Sequence, residues 1–182
     1  MIDSPAEFRA TNCNQPEPQT EIPMKTAACI FLALLTASFA QTVPDGKLTV
    51  AGQTTKLTQV YAYSTKGFFD EKKDDTVVLL TDRAITGAQL RDGFALRRLA
   101  EEGKLSFVQE TINTAGQIVN FTVGHRAFKM SPSGGSTEHR FEGKLDGKTV
   151  SGKVYTRGLQ ESFGGTKYEY TASFQAPVQP KK

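Results

Sequence analysis

The sequence of 182 residues contains no tryptophan, and it has only two cysteines and two histidines. Both cysteines, Cys13 and Cys29, precede the signal-peptide cleavage site predicted below, so the mature chain has no thiol. A disulfide framework and a catalytic cysteine are therefore excluded from it. A metal site is disfavoured as well, because such sites need several His, Cys or carboxylate ligands that converge. The mature chain has no cysteine and only two histidines, His125 and His139. We expect no cofactor.

The common catalytic and nucleotide-binding motifs are also missing. No serine lies in a G-x-S-x-G pattern, and no glycine pattern of the Walker or dinucleotide-binding type opens a helix. The formal net charge is only +3, and most basic residues are scattered singly along the chain instead of being concentrated on one element. That distribution is typical of a solvated surface, so we do not expect nucleic-acid binding.

Only one long hydrophobic run occurs, and it has the features of a signal peptide. Residues 24–40 begin with a lysine-bearing n-region, continue with an apolar run over 27–37 and end in the small-x-small pattern Ser-Phe-Ala. The apolar run is shorter than the roughly 20 residues that span a bilayer. We therefore predict cleavage after Ala40 and no retained membrane span.

The predicted signal peptide divides the chain into segments. Residues 1–23 are a polar leader whose translation is in question, since a signal peptide belongs at an N-terminus: either Met24 is the initiator or the n-region is unusually long. Residues 41–178 are predicted to be one β-rich domain, and residues 179–182 a disordered tail. The mature protein is predicted to be exported, to the periplasm or the medium, and the alanine-rich leader is bacterial in style.

The mature chain is organised around a predicted central strand over residues 76–82. Its four consecutive apolar residues indicate burial on both faces, whereas a strand at the surface would alternate. Asp92 is a predicted N-cap for a short helix over 93–102, which ends at Gly103. A helix of this length is not stable alone in water, so its apolar face is expected to cover one face of the central strand.

The remaining periodicity is that of strands, in short segments separated by turn residues. Asp146 and Gly147 predict a type I′ hairpin turn, and Pro177 and Pro180 are predicted to end the last strand. About eight strands with one short helix predict a mainly β fold, as an antiparallel sandwich or a partly open barrel. The predicted strands are 47–50, 56–63, 76–82, 105–113, 117–123, 138–145, 148–156 and 168–175.

Four short motifs carry a resemblance to other proteins. They are G-K-L-T-V at 46–50, V-Y-A-Y at 60–63, V-V-L-L-T-D at 77–82 and D-G-K-T-V-S-G at 146–152. In these segments the chain resembles small exported bacterial β-rich domains of unassigned function. Because the motifs consist of core and turn residues, the resemblance implies a shared fold and no active site.

Two predicted surface loops stand out between the strands. Residues 64–75 hold the adjacent aromatic residues Phe68 and Phe69, which either anchor the loop or are offered to a partner. Residues 130–137 contain a proline and two glycines and are predicted to be the most flexible loop of the domain. Either loop is a candidate binding surface.

The titratable residues of the strands have ordinary structural interpretations. His125 and His139 share the parity of apolar neighbours, so ring packing at the edge of the core is the alternative to any ligand role. Glu110, Glu142 and Glu169 are predicted to point outward from their strands, since nothing in the sequence arranges them as an acid/base pair.

Three functions remain open at this stage. The favoured one is a non-enzymatic exported domain that binds a protein or a cell-envelope component through an exposed loop end or a sheet edge, with Phe68, Phe69, His125 and His139 as candidate binding residues. The second is a small hydrolytic or metal-dependent enzyme that uses His125, His139 and Asp82. The third is a barrel that holds a small apolar ligand. The sequence does not indicate an oligomeric state.

Overall fold

The computed structural model describes residues 42–180. Within this range the chain forms eleven β-strands, one α-helix and one short 3-10 helix. The predicted leader and signal peptide, Gln41, and the last two residues of the predicted tail lie outside the described residues. The elements are β1 (Thr42–Val50), β2 (Gln53–Leu57), β3 (Gln59–Lys66), β4 (Asp74–Thr81), the 3-10 helix (Gln89–Arg91), α1 (Gly93–Glu101), β5 (Phe107–Ile112), β6 (Ile118–Gly124), β7 (Ser133–Gly134), β8 (His139–Leu145), β9 (Thr149–Thr156), β10 (Gln160–Glu161) and β11 (Lys167–Gln179).

The strands form one continuous sheet that curls into an open half-barrel. Its main path runs β2-β1-β11-β3-β4-β5-β6-β7, and β9 and β8 branch from the other side of β11. Among the described residues every pair is antiparallel except β11 with β3, which run parallel at Val178 and Gln179. The predicted fold class, mainly β with one short helix and a partly open barrel, is confirmed.

Strand β4 is the centre of one half of this sheet. It pairs with β3 on one side and with β5 on the other, and its four apolar residues are all buried. Val78 and Leu80 belong to the core inside the half-barrel, whereas Val77 and Leu79 pack in a second core with α1. Because successive side chains of a strand point to opposite faces, the apolar run fills both cores. The predicted central strand is confirmed.

Helix α1 begins where its predicted cap places it. The Asp92 carboxylate accepts hydrogen bonds from the backbone N–H groups of Phe94 (3.1 Å) and Ala95 (2.9 Å). These bonds satisfy two of the donors that the first turn of a helix leaves free. Leu96 and Ala100 on the buried face pack into the core that the helix shares with β4. The predicted helix and its N-cap are confirmed.

One predicted strand is two strands in the structure. The prediction of a single strand over 56–63 is wrong, because β2 and β3 are separated at Thr58. The backbone N–H of Thr58 donates to the carbonyl of Thr81 (2.8 Å), and its hydroxyl donates to the carbonyl of Asp82 (2.9 Å). These bonds satisfy the polar groups of Thr58 at the point where the chain stops pairing with β1 and starts pairing with β4.

The turns and loops also differ in detail from the prediction. Gly147 has a φ of +79° but Asp146 does not lie in the left-handed region, so the turn is not type I′, which needs positive φ at both central residues. The predicted loop over 64–75 is shorter, spanning 67–73, because β3 and β4 extend into it. The predicted loop over 130–137 contains the short strand β7, which pairs with β6.

The end of the chain is more regular than predicted. Pro177 does not end β11, which continues two residues beyond it. The N–H of Val178 donates to the carbonyl of Lys148 (2.7 Å), so the ring nitrogen of Pro177 faces the opposite side of β11. On that side Pro177 lies between the last residue paired with β1 and the first residue paired with β3, so no hydrogen bond is lost there. The carbonyl of Pro180 accepts a hydrogen bond from Arg91 (2.9 Å).

Candidate functional site

The half-barrel is open between β6 and β8. Among the described residues β8 pairs with β9 alone. Strand β6 pairs with β5 on one side and with β7 on the other at Phe121 and Thr122, so two strand edges face each other across a gap. Across this gap the rings of Phe121 and His139 stack with their centroids 3.6 Å apart. We call this gap between β6 and β8 the seam.

A pocket of about 480 Å³ lies in the seam. One wall is the edge of β8, the opposite wall is the start of β6, and two loops complete the rim. We call it the seam pocket. It is lined by Phe69, residues 116–119, residues 135–137 and residues 139–141.

The aromatic pair reaches solvent from a firmly held loop. Phe69 is 79% exposed and Phe68 61% exposed, and their rings meet edge to face with centroids 4.9 Å apart. The backbone N–H of Phe68 donates to the carboxylate of the buried Asp75 (2.8 Å). Gly67 is packed so closely that a Cβ there would clash with the carbonyl oxygen of Asp70. The loop therefore presents two rings from a constrained base.

The seam pocket collects several features that the sequence separates. Phe69 and His139, two of the predicted binding residues, both line it, and Phe68 contacts Phe69 beside it. The glycine-rich loop lines the opposite part of the rim. His125, the fourth predicted binding residue, does not line this pocket. The two loops singled out from the sequence therefore meet at one place.

A chain of buried polar side chains runs inward from His139. Its Nδ1 lies 2.8 Å from the hydroxyl of Tyr170, and its Nε2 lies 3.2 Å from the hydroxyl of Tyr168. The hydroxyl of Tyr170 is hydrogen-bonded in turn to the carboxyl of Glu110. Glu110 is 1% exposed and lies in the core of the half-barrel. We call these four residues the buried chain.

The prediction that Glu110 points outward is wrong. In the sheet Glu110 lies between Val78 of β4 and Phe121 of β6, which both belong to the inner core. Residues paired directly across a sheet share a face, so Glu110 faces the interior of the half-barrel. Glu142 and Glu169 are exposed, and their predicted outward orientation is confirmed.

Burial decides the protonation state of the buried chain. Desolvation raises the pKa of Glu110 to about 8 and lowers the pKa of His139 to about 4, while it raises the pKa of Tyr168 to about 12. At neutral pH the carboxyl is therefore protonated and the imidazole is neutral. The hydroxyl of Tyr170 donates to Oε1 of Glu110, so it accepts from Nδ1–H of the neutral His139. The other ring nitrogen of His139 then accepts from the hydroxyl of Tyr168, so all the hydrogen bonds run in one direction, toward Glu110.

The residues of the enzymatic alternative have separate local partners. Both ring nitrogens of His139 are engaged by tyrosine hydroxyls, which leaves neither for a substrate or a metal. Nδ1 of His125 accepts from the N–H of Ala127 (3.1 Å), and the carboxylate of Asp82 accepts from the N–H of Ser106 (2.9 Å). The described residues include no group of three or more His, Cys, Asp or Glu that could hold a metal ion.

Arg140 brings an unpaired donor to the seam pocket. Its Nε is buried and has no hydrogen-bond partner among residues 42–180. A buried polar group without a partner costs roughly 1–3 kcal/mol. Because Arg140 lines the pocket and its guanidinium pairs well with oxygen acceptors, this position favours a ligand with a carboxylate or a carbonyl group.

Sequence reasoning missed most of the buried chain and Arg140. A signal for Glu110 was present, because it shares the parity of the core residues Val108 and Ile112 in β5. No local pattern indicates its partner, since Tyr170 is 60 positions away in the sequence. Arg140 carried no signal that distinguishes it from other charged strand residues.

Comparison with known proteins adds no relative. No protein-family model, curated protein or solved structure matches this chain. No helix in the described part of the chain is long and apolar enough to cross a membrane. What the seam pocket binds is therefore inferred from its own chemistry.

Proposed function

We propose that this protein is an exported, non-enzymatic domain that binds a protein or a cell-envelope component in the seam pocket. The observation that carries the proposal is the meeting of two strand edges and two loops at one pocket of about 480 Å³. Ligand pockets of known proteins have volumes of roughly 300–1,000 Å³, with a mostly apolar lining and a few placed polar groups.

The chemistry of the lining supports the same function. Phe69 supplies an exposed aromatic surface, and Phe141 and Ile118 supply partly buried apolar surface that packs against the core. Exposed aromatic residues and arginine are typical of binding hot spots. Arg140 supplies the unpaired donor described above. The ligand we expect has an apolar group beside an acceptor.

The two alternatives have less support. An enzyme based on His139 would need a free ring nitrogen, and both nitrogens are engaged in the buried chain. A barrel that holds an apolar ligand would need a lined cavity inside the half-barrel, where the side chains of the main core pack together. Export itself rests on the predicted signal peptide over residues 24–40.

Site-specific photocrosslinking tests the proposed site. A benzophenone amino acid at Phe69 should crosslink a partner in the cell-envelope fraction, because this ring lines the seam pocket. Phe163 is the matched control, since it is 97% exposed and does not line this pocket. A benzophenone there should not capture the same partner.

A second crosslinking position makes the result specific. A benzophenone at Thr137, across the rim, should capture the partner in a background of Phe163→Ala and much less in a background of Phe69→Ala. Equal capture in both backgrounds would place binding outside the seam pocket and would contradict the proposal.

A further inference from the structure

The direction of the backbone groups in β8 follows from one hydrogen bond. The N–H of Arg157 donates to the carbonyl of Glu138 (2.8 Å), so the backbone of Glu138 is directed toward the β9 side. Backbone groups of successive strand residues point to alternate sides, so Arg140 and Glu142 are also directed toward β9. The N–H and C=O groups of Phe141 and Gly143 consequently point away from β9.

These outward backbone groups have no strand beside them. Among the described residues β8 is paired with β9 alone, so the edge that carries Phe141 and Gly143 faces the seam. A free strand edge is a template for pairing with another extended chain. Gly143 is exposed on this edge, so the backbone there is accessible.

The opposite wall of the seam pocket has an irregular strand at Val119. Thr111 pairs with Asn120 and the next residue, Ile112, pairs with Ile118, so Val119 is skipped as a β-bulge. Val119 therefore has no partner in β5, and β7 pairs with β6 only farther along, at Phe121. Val119, on the wall opposite β8, is thus unpaired in the sheet that the described residues form, although it is only 7% exposed.

The side chains beside these edges have the alternation that an added strand requires. Phe141 and Leu145 are only partly buried against the inner core, and they share the face of His139. Arg140 lies on the opposite face with its unpaired Nε. A strand laid in the seam would cover apolar surface on one face and lie beside Arg140 on the other.

We propose that the ligand of the seam pocket is an extended peptide segment of a partner protein that pairs as an added strand with the free edge of β8. This inference rests on the proposed function and names its mode of recognition. Unpaired main-chain groups at two-residue spacing are matched by an extended polypeptide, whose own N–H and C=O groups have the same period. The segment should alternate apolar and polar residues, with an acidic residue or a carbonyl acceptor reaching Arg140.

Amide hydrogen exchange tests the proposal with a defined probe. Short random linear peptides displayed on phage are selected against the full chain, and the tightest binder is synthesised. On binding, exchange at the amides of Phe141 and Gly143 should slow by about tenfold or more. Arg140 and Glu142, whose amides already face β9, serve as internal controls and should change little.

The peptide backbone supplies the complementary test. Methylation of alternate peptide nitrogens, those that face β8, should weaken binding by about tenfold or more, because each removes an inter-strand donor. Methylation of the intervening nitrogens should have a much smaller effect. Phe69→Ala in the protein should weaken binding, and Phe163→Ala should not.

Other outcomes would overturn the inference in distinguishable ways. A peptide that perturbs Phe69 and Thr137 without protecting Phe141 and Gly143 would refute strand addition and leave the proposed binding site standing. Failure to select any binder, or selection of binders around Phe163 only, would also refute strand addition, and the crosslinking test would then decide the proposed function by itself. Concentration-dependent protection of the same amides without peptide would assign the β8 edge to a second copy of this chain.

Discussion

A carboxyl group inside an apolar half-barrel needs hydrogen-bond partners, and Tyr170 supplies one to Oε1 of Glu110, while Oε2 is buried with no partner among the described residues. Burial favours the neutral acid and raises its pKa to about 8. His139, farther along the buried chain, is kept neutral because burial lowers its pKa to about 4. The two groups therefore impose opposite pH dependences on the stability of the fold: His139 lowers it as the pH falls from about 6.5 to 4, and Glu110 lowers it as the pH rises from about 4.5 to 8.

We predict that Glu110 lowers the stability of the protein as the pH rises from 6.5 to 8. In this range the unfolded carboxyl is ionised, with a pKa near 4.5, whereas the folded carboxyl is protonated. The free energy of unfolding should therefore fall as the pH rises, by up to about 1.4 kcal/mol per pH unit. His139 contributes little here, and less as the pH rises, since above its unfolded pKa of 6.5 it is mostly neutral in both states.

Denaturant unfolding of Glu110→Gln across this pH range is the measurement. The variant should lose the fall in stability between pH 6.5 and 8. Below pH 6.5 it should lose stability as the pH falls toward 4, because protonation of His139 then favours the unfolded state without opposition from Glu110. The matched control is Glu169→Gln, an exposed carboxylate that should leave the wild-type curve unchanged. A flat wild-type curve between pH 6.5 and 8 would contradict the assignment.

At the scale of elements, α1 is attached to the sheet through a small second core. The buried residues of that core come from β3, β4, β5 and the helical region, so the helix covers the outer face of the sheet. A helix of nine residues has little stability of its own, and its position depends on this packing and on its caps. We therefore expect Asp92 to contribute more to the stability of the domain than its exposed position suggests.

Replacement of the N-cap should destabilise the domain measurably. Asp92→Ala removes the acceptor for the N–H groups of Phe94 and Ala95, and it should lower the free energy of unfolding by about 1 kcal/mol. Asp92→Asn is the control, because its side-chain oxygen can accept the same bonds, and it should lose much less. Equal losses in both variants, measured by denaturant unfolding, would show that the carboxylate charge and not the cap geometry stabilises the helix.

Strand β8 combines a free edge with features that limit uncontrolled pairing. Glu142 and Lys144 are exposed charged residues of this strand, and charged residues on an edge disfavour association of identical edges. Glu142 is held in place by a hydrogen bond from the hydroxyl of Tyr155 (2.5 Å). The edge is therefore suited to a partner whose charges complement it better than a second copy would.

At the scale of the whole molecule, the predicted export pathway and the described fold are compatible. Strand β1 begins at Thr42, so cleavage after Ala40 would leave the complete half-barrel intact. The described chain contains no cysteine, and its stability does not depend on an oxidising compartment. Removal of the predicted signal peptide should therefore release a domain that folds by packing alone.

We predict that the exported protein starts at Gln41. Expressed in a bacterial host, the chain should be recovered outside the cytoplasm with this N-terminus, as measured by intact mass and N-terminal sequencing. Ala40→Arg should block processing, because signal peptidase requires a small residue at that position. Recovery of the wild-type chain in the cytoplasm with residues 24–40 still attached would contradict the prediction.

Local sequence patterns predicted those elements whose structure depends on residues within one short segment. The apolar run over 76–82 predicted a strand covered on both faces, and Asp92 predicted the start of a helix. The break at Thr58 was not predictable, because the residues around it have uniform strand propensity and the hydrogen bonds that hold it come from the end of β4. The prediction that Pro177 ends the last strand was wrong for a related reason. A proline can stay in a strand where its nitrogen faces a side with no hydrogen-bonded neighbour, and the neighbours of β11 at that point are distant in the sequence.

The sequence by itself determined the mainly β class, the central strand, the capped helix and the hairpins β5–β6 and β8–β9, because these depend on periodicity and turn residues within short segments. Only the tertiary structure decided that Glu110 is buried against Tyr170, that β8 has a free edge and that Phe69 and His139 line one pocket. Each of these depends on contacts between residues far apart in the chain. The curl of the sheet creates those contacts, and no local pattern encodes it.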